Sequence, residues 1–413
     1  MLMPDEKLMK VHAKIESYRD EMIRDLGDLI RIPAISPKSG GEGENKKAEF
    51  LLKLVEGFGF DDIERIDVPD ESAPDKMRPN IIARIKGQSD AAQNIWVVVH
   101  MDVVPEGDLK LWDTDPYEPV VKDGKIFGRG VEDNGQELIA ALYSVRALKE
   151  EGILPENNIN IAIVADEETG SDFGIRPLIE KGLFTKDDLI IVPDGGNSEG
   201  TLIEVSEKTI MWLKIRTVGK QCHGSMPERG INAHKAAMKF GVSLDEELHR
   251  KYSKKDELFD PPISTFEPTK KEGNVPNINT IPGEDIYYMD CRILPDYDPE
   301  EVFETIKRAG ESISQEIGAK FEFERPQYDP AAPPTSPESP AVLALKEAIK
   351  TVYDIVPYAG GIGGGTCAAI FRRAGYPAVV WAKLDDTCHA PNEYAVIDNI
   401  VNDAKVYASM FCK

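Results

Sequence analysis

The chain has 413 residues, 41% hydrophobic and 30% charged, a globular balance too long for one ordinary core and suited to two domains. Its formal net charge is −24, from 73 acidic and 49 basic residues. That excludes a nucleic-acid or anionic-membrane partner, and a small anionic substrate needs a local cation to capture it. Residues 1–10 are charged without an apolar core, so no secretory leader is expected there, and no stretch approaches the ~20 apolar residues that span a bilayer. Five widely spaced cysteines without a C-x-x-C pair point to reduced thiols in a cytoplasmic protein.

In chain order, apolar residues recur at helical spacing over 5–31, and a second helix is predicted over 45–57. Short apolar runs at 80–85, 95–99, 159–165, 189–192 and 378–384 have the pattern of strands buried on both faces. Helices over 135–152 and 339–353 lie between them, so the alternation predicts an α/β domain with a largely parallel sheet. The middle of the chain reads differently. Strands at 209–217, 263–268, 286–294 and 320–325 alternate with helices at 232–252 and 299–318. That order, βαββαβ, is a ferredoxin-like sandwich. The expected organisation is a catalytic domain of 1–208 and 326–413 with an inserted domain over 209–325. A proline-rich return lies at 328–340.

The chemically useful residues fall at strand ends. His100 ends one apolar run and is followed by Asp102; Asp166-Glu167-Glu168 follows the next; Asp194 follows the run at 189–192. His389 lies just beyond the last strand, and Asp133 precedes a helix. In open α/β sheets ligands bind outside the carboxyl ends of the strands. Two imidazoles with several carboxylates suit Zn²⁺, Co²⁺ or Mn²⁺, and two ions need a bridging carboxylate. The spacing of His100 and Asp102 suits an acceptor that fixes the imidazole, and one of Glu167 and Glu168 can bind metal while the other stays free as a base. Taken singly, each has a plainer reading as a structural histidine, a solvated acidic pair or a turn residue. Cys222–His223 and Cys388–His389 are adjacent, which in extended chain turns the two side chains to opposite faces and argues against a cysteine nucleophile.

Read together, H-x-D, G-R-G-x-x-D, D-E-E-x-G, a lone acid after a strand, H-G-S-x-P and H-x-P-N-E resemble the family of acetylornithine deacetylase, succinyl-diaminopimelate desuccinylase, aminoacylase and carboxypeptidase G, essentially end to end. The resemblance implies two divalent ions, Zn²⁺ first with Co²⁺ or Mn²⁺ as alternatives. His100 and Asp194 would hold one ion, Glu168 and His389 the other, and Asp133 would bridge. Glu167 would be the general base, taking a proton from the attacking water and giving one to the leaving amine, and Asp102 would orient His100. His223 would reach across a homodimer to stabilise the oxyanion, with the inserted domain forming the dimer. Arg292 would capture the substrate carboxylate, helped by Asn279 and by backbone N–H groups of Gly364, Gly365 and Thr366. The plainer readings of Arg292 and the glycines are a surface ion pair and a flexible turn.

The implied reaction is hydrolysis of an amide next to a carboxylate, as in an N-acyl-amino-acid deacylase. A dipeptidase or carboxypeptidase is the close alternative, and a non-catalytic binding protein the distant one. Two departures stand out. After the bridging Asp many relatives have Lys followed by Gly, whereas this chain has Asp133-Asn134-Gly135-Gln136, where a cis peptide after Asp133 is also expected. Deacetylases and desuccinylases typically place Glu where this chain has Asp194, a choice closer to the family's dipeptidases.

Overall fold

The computed structural model describes residues 4–89 and 91–412. They form two compact units. The first holds the described residues up to Val205, Thr335–Ala359 and Thr366 onward; the second holds Ser206–Pro334 and Gly360–Gly365.

The lead segment read as one helix is two, Pro4–Ser17 and Arg19–Ile30. The break is at Tyr18, whose N–H turns back to Ile15 O at 3.0 Å. Its buried ring meets Tyr143 edge-on at 5.3 Å with the Arg146 guanidinium over it at 4.5 Å. The apolar period continues past this break, so spacing alone reads it as unbroken.

Strands β1 (Asp62–Pro69), β2 (Met77–Ile85), β3 (Asn94–His100), β4 (Val120–Lys122), β5 (Lys125–Phe127), β6 (Asn158–Val164), β7 (Leu189–Asn197) and β8 (Leu202–Glu207) follow. The inner ones are apolar on both faces, as the sequence predicts, and bury nearly every side chain. One correction concerns β7. It does not end at Val192 but runs on through Asn197, so Asp194 lies inside the strand. Glycine makes this possible, because a Cβ at position 196 would lie 1.9 Å from Ala382 O on the neighbouring strand.

The second unit carries β9 (Thr209–Val218), β10 (Cys222–His223), β11 (Thr265–Lys271), β12 (Thr280–Ile281), β13 (Glu284–Ile293) and β14 (Lys320–Asp329). Its four-stranded antiparallel sheet has the order β11-β13-β9-β14, with helices Ala233–Lys251 and Pro299–Ile317 packed on it. This is the ferredoxin-like arrangement. Phe240, Leu244, Val302 and Ile306 from the helices meet Leu213, Ile215 and Met289 in one core. The unit reaches beyond 325 because β14 continues through Pro326. A bulge between Glu324 and Gln327 accommodates the missing N–H on this edge strand.

The chain then adds β15 (Tyr358–Ile362), β16 (Ala378–Lys383) and β17 (Tyr394–Val396). The large sheet runs β1-β2-β6-β3-β7-β16-β8-β15. Its centre, β6-β3-β7-β16, is parallel, while β1 and β2 are antiparallel. Among the described residues no helix is long and apolar enough to cross a membrane.

Candidate metal centre

The site forms where two parallel strands separate. β3 and β7 pair through Ile95–Leu189, Trp96–Ile190 and Val97–Ile191, and no further. Beyond that point Asn134 Nδ2 donates to Pro193 O at 2.7 Å, taking a carbonyl that β3 no longer meets. His100 Nε2 and Asp194 Oδ1 face one another in the opening at 3.3 Å.

Asp133 lies between the two histidines. Its Oδ1 is 2.9 Å from His100 Nε2 and its Oδ2 is 3.1 Å from His389 Nε2. Glu168 Oε2 is 3.0 Å from the same His389 nitrogen. His100, Asp133 and Asp194 thus make one group, and Asp133, Glu168 and His389 a second, with Asp133 common to both. Asp102 acts in two directions. Its backbone carbonyl is 3.0 Å from His100 Nδ1, while its carboxylate is 3.6 Å away from that nitrogen. The carboxylate instead accepts the Glu167 and Glu168 N–H groups, each at 3.1 Å. A third group, not evident from the sequence, gathers Glu167, Asp194 and Cys367.

Two buried glutamates hold the loops. Glu393, fully buried, accepts from Arg129 Nη1 at 2.6 Å and from the N–H groups of Gly130, Glu132 and Asp133 at 3.0–3.2 Å. Glu132 accepts from Asp385 N at 2.7 Å and Thr387 Oγ1 at 2.8 Å, securing the segment that leads to His389. Both glutamates lie inside motifs that the sequence displays, but nothing in their spacing marks them as clamps.

Crowded carboxylates dominate the electrostatics. Burial, then the Asp194 charge, pushes Glu167 well above the usual carboxylate range. Burial and then Asp133 push Glu168 up to about 7. Asp133 is also raised by burial, but hydrogen bonds from His100 and His389 outweigh this and hold it low. Burial lowers His100, yet Asp194, Asp102 and Asp133 together carry it well above the ordinary imidazole value. His389 is lifted to about 10 by Asp133 and Glu168. This negative pocket calls for positive charge. Glu168 Oε1 is buried and meets no hydrogen-bond donor among the described residues, which suits an oxygen that binds a cation. Two divalent ions therefore fit the donors, which are imidazole nitrogens and carboxylate oxygens suited to Zn²⁺, Co²⁺ or Mn²⁺.

The sequence pattern described as peptidase family M20/M25/M40 matches residues 96–413. The chain belongs to this family. An uncharacterised metallohydrolase of Methanocaldococcus jannaschii is 41% identical over 409 residues, covering 94% of this chain and 98% of that one. A succinyl-diaminopimelate desuccinylase of Nautilia profundicola is 28% identical over 388 residues, covering 92% and 95%. Among solved structures, human carnosine dipeptidase 1 superposes with a TM-score of 0.72 at 19% identity, over 98% of each chain, a likeness of fold. As an M20 protein the chain is a metallohydrolase.

The remaining M20 candidates lie largely in the second unit. His223 and Asn279 are brought together there, since β10 pairs with β12 and Gly224 N donates to Asn279 O at 2.7 Å. Exposed His223 accepts the Ser225 N–H at Nδ1 (3.2 Å), which leaves the ring proton on Nε2. Arg292 and the 363–365 segment also meet, through Nη1 and Gly363 O at 2.7 Å. Arg292 does not stand as a lone cation, because Asp290 accepts from its Nε at 2.6 Å and its Nη2 at 2.9 Å. Thr366 belongs to the first unit.

Neither cysteine–histidine pair makes a nucleophile and base. Cys222 Sγ faces Met226 O, and Cys388 faces Asp386 with its thiol pushed up by burial and then by Asp133. The expected cis peptide is present at Asp133-Asn134. Gly135 has no room for a side chain. A Cβ there would lie 2.5 Å from Gly130 O and 2.7 Å from Leu26 Cδ1.

Proposed function

We propose that this chain hydrolyses an amide bond in a small carboxylate-bearing substrate, removing the acyl group of an N-acyl amino acid of the acetylornithine or succinyl-diaminopimelate type. The observation that carries the reading is the single carboxylate of Asp133 placed between two imidazoles, at 2.9 and 3.1 Å, with Glu167 beside but outside that chain of contacts.

In this reading His100 and Asp194 would hold one ion and Glu168 and His389 the other, with Asp133 serving both; Zn²⁺ would be the first choice, then Co²⁺ or Mn²⁺. Such a pair supplies Lewis acidity toward the amide carbonyl and makes water a nucleophile near neutral pH. Glu167 takes a proton from the attacking water and delivers it to the departing nitrogen, a task suited to a carboxylate beside the ligands that is not itself one of them. Asp102 keeps both neighbours in place, fixing His100 through its carbonyl and the two glutamates through its carboxylate. His223 donates from Nε2 to the oxyanion in the partner subunit of a homodimer. Arg292 spends three N–H groups on Asp290 and Gly363, so two of the five on a guanidinium remain for a substrate carboxylate. Asn279 and the N–H groups of Gly364, Gly365 and Thr366 complete that end of the substrate.

The acyl assignment is supported by relatives named desuccinylases. A dipeptidase reading is favoured by one observation, the aspartate at 194 where deacylases of the family carry glutamate. The deciding experiment offers the Zn²⁺- or Co²⁺-loaded protein N-succinyl and N-acetyl amino acids beside plain dipeptides. Cleavage confined to blocked amino acids supports the deacylase, and cleavage confined to free dipeptides overturns it.

A further inference from the structure

Arg78 is fully buried, yet it touches neither imidazole nor any of the five candidate ligands. It sits near the start of β2, whose antiparallel register with β6 pairs Ile81 with Ile163 and Ile82 with Ala162. Continuing that register past the end of β6 puts Asn80 opposite Val164 and Arg78 opposite Asp166. The side chains complete what the ladder leaves off. Asn80 Oδ1 accepts the Ala165 N–H at 3.0 Å, and Arg78 Nη2 donates to Asp166 Oδ1 at 3.4 Å.

Arg78 is in turn held by Glu44. The contact is bidentate, through Nε at 2.5 Å and a second short bond through Nη2, and Asp70 accepts from Nη1 at 3.2 Å. Glu44 also accepts the Asp166 N–H at 3.3 Å. Asp166 has a left-handed backbone, φ 60°, and opens the turn that carries Glu167 and Glu168. Its carboxylate accepts from Thr169 Oγ1 and from Phe173 N at 3.2 Å. Three carboxylates thus surround one guanidinium, and none of the four groups is exposed. Removing these charges from water is costly, so such a cluster is weak evidence for stability and better evidence for a need to fix geometry.

We propose that Arg78 and Glu44 are positioning residues for the proposed reaction. Acting through Asp166, they set the direction in which the Glu167 and Glu168 carboxylates leave the sheet. The inference rests on the reading of Glu167 as base and Glu168 as ligand. Small displacements of such groups are costly: altering a direct partner of a metal ligand lowers activity or metal affinity by about 10–100-fold, and the same order is expected of Arg78 and Glu44, which reach Glu167 and Glu168 through Asp166.

The test compares Arg78→Lys, Glu44→Gln and the double variant in the metal-loaded protein. It measures kcat and KM separately, metal affinity by titration, and the unfolding midpoint. The expected result for both single variants is a ~10–100-fold fall in kcat, weaker binding of one ion and little change in KM. The double variant should be no worse than the poorer single one, because the two residues act as a unit. Asp70→Asn, which touches Arg78 but not the turn, should keep wild-type kcat. If Arg78→Lys does not fold, the neutral isostere Glu44→Gln decides. A lower unfolding midpoint with kcat and metal affinity unchanged overturns the proposal. Glu167→Gln in the same assay separates the two claims. If it stays active, the reading of the base fails; if it alone is inactive, only the positioning role fails.

Discussion

His100 and Asp194 stand at equivalent positions on two neighbouring parallel strands that stop pairing three residues before either is reached. The register offset of β3 against β7 is fixed by Ile95–Leu189 through Val97–Ile191, and the same offset leads from His100 to Asp194. The Nε2–Oδ1 distance of 3.3 Å replaces a ladder contact with one between side chains. A crevice at the carboxyl ends of the strands is a usual place for ligands, and here its origin is a parting of two strands around Asn134.

The loop bearing Asp133 depends on Glu393. This carboxylate and Arg129 are both buried, and removing one partner leaves the other's charge uncompensated. Glu393→Ala should lower unfolding free energy by about 3–5 kcal/mol in urea titration. Glu393→Gln should cost less, because its amide oxygen can still accept the backbone N–H groups. Equal stability of Glu393→Ala and wild type would contradict the clamp.

A side chain should not be tolerated at position 135. Gly135→Lys places Cβ against Gly130 O and Leu26, so backbone as well as side chain must shift. Gly135→Ala should already cost about 1–3 kcal/mol, the usual range for overpacking, and Gly135→Lys at least as much, read as a lower unfolding midpoint. An unchanged midpoint in Gly135→Lys would show that the close approach does not constrain this loop.

A second carboxyl pair, away from the candidate ligands, predicts a pH effect. Glu137 and Asp403 are buried together with Tyr407 and Gln136, and half-buried Tyr353 donates to Asp403. Burial, then Asp403, pushes Glu137 well above its usual range, and burial lifts Asp403 to about 6. Folded-state values above the unfolded ones mean that the folded protein binds more protons. The contribution is therefore fully present below about pH 4 and is lost as pH rises through 6 and beyond. Glu137→Gln removes one of these titrations. Relative to wild type, the melting temperature of Glu137→Gln should improve steadily from pH 5 to pH 8. A difference independent of pH would contradict the shifted pair.

If His223 serves a partner's site, specific activity should fall on dilution in parallel with dissociation seen by sedimentation. His223→Ala should then lower kcat with metal content intact. A fully active monomer would remove His223 from the mechanism.

Much of this was legible beforehand, for identifiable reasons. The central strands are continuous apolar runs, and His100 and the segment Asp166-Glu167-Glu168 directly follow two of them, so position alone singles them out. β1 is mostly exposed and its pattern is charged, and the ribbon β4–β5 is only three residues a side; neither carries a strong period. The closing helix Ile397–Phe411 has no side-chain N-cap and buries residues almost all round, which blurs its amphipathic signal. Within the site, Arg78 and Glu44 are 34 residues apart in the chain, Glu132 and Asp385 253, and Arg129 and Glu393 264, beyond any local pattern. The pairing of Arg292 with Asp290 was within reach, since alternate residues on a strand share a face.

In the proposed reading two divalent ions are held around Asp133, with Glu168 a ligand and Glu167 the base. Counting bound Zn²⁺ per chain in wild type, Glu167→Ala and Glu168→Ala tests it most directly. The expected counts are two ions in the wild type, two in an inactive Glu167→Ala and fewer in Glu168→Ala. Equal loss of metal from both variants, or a full complement in both, would contradict it.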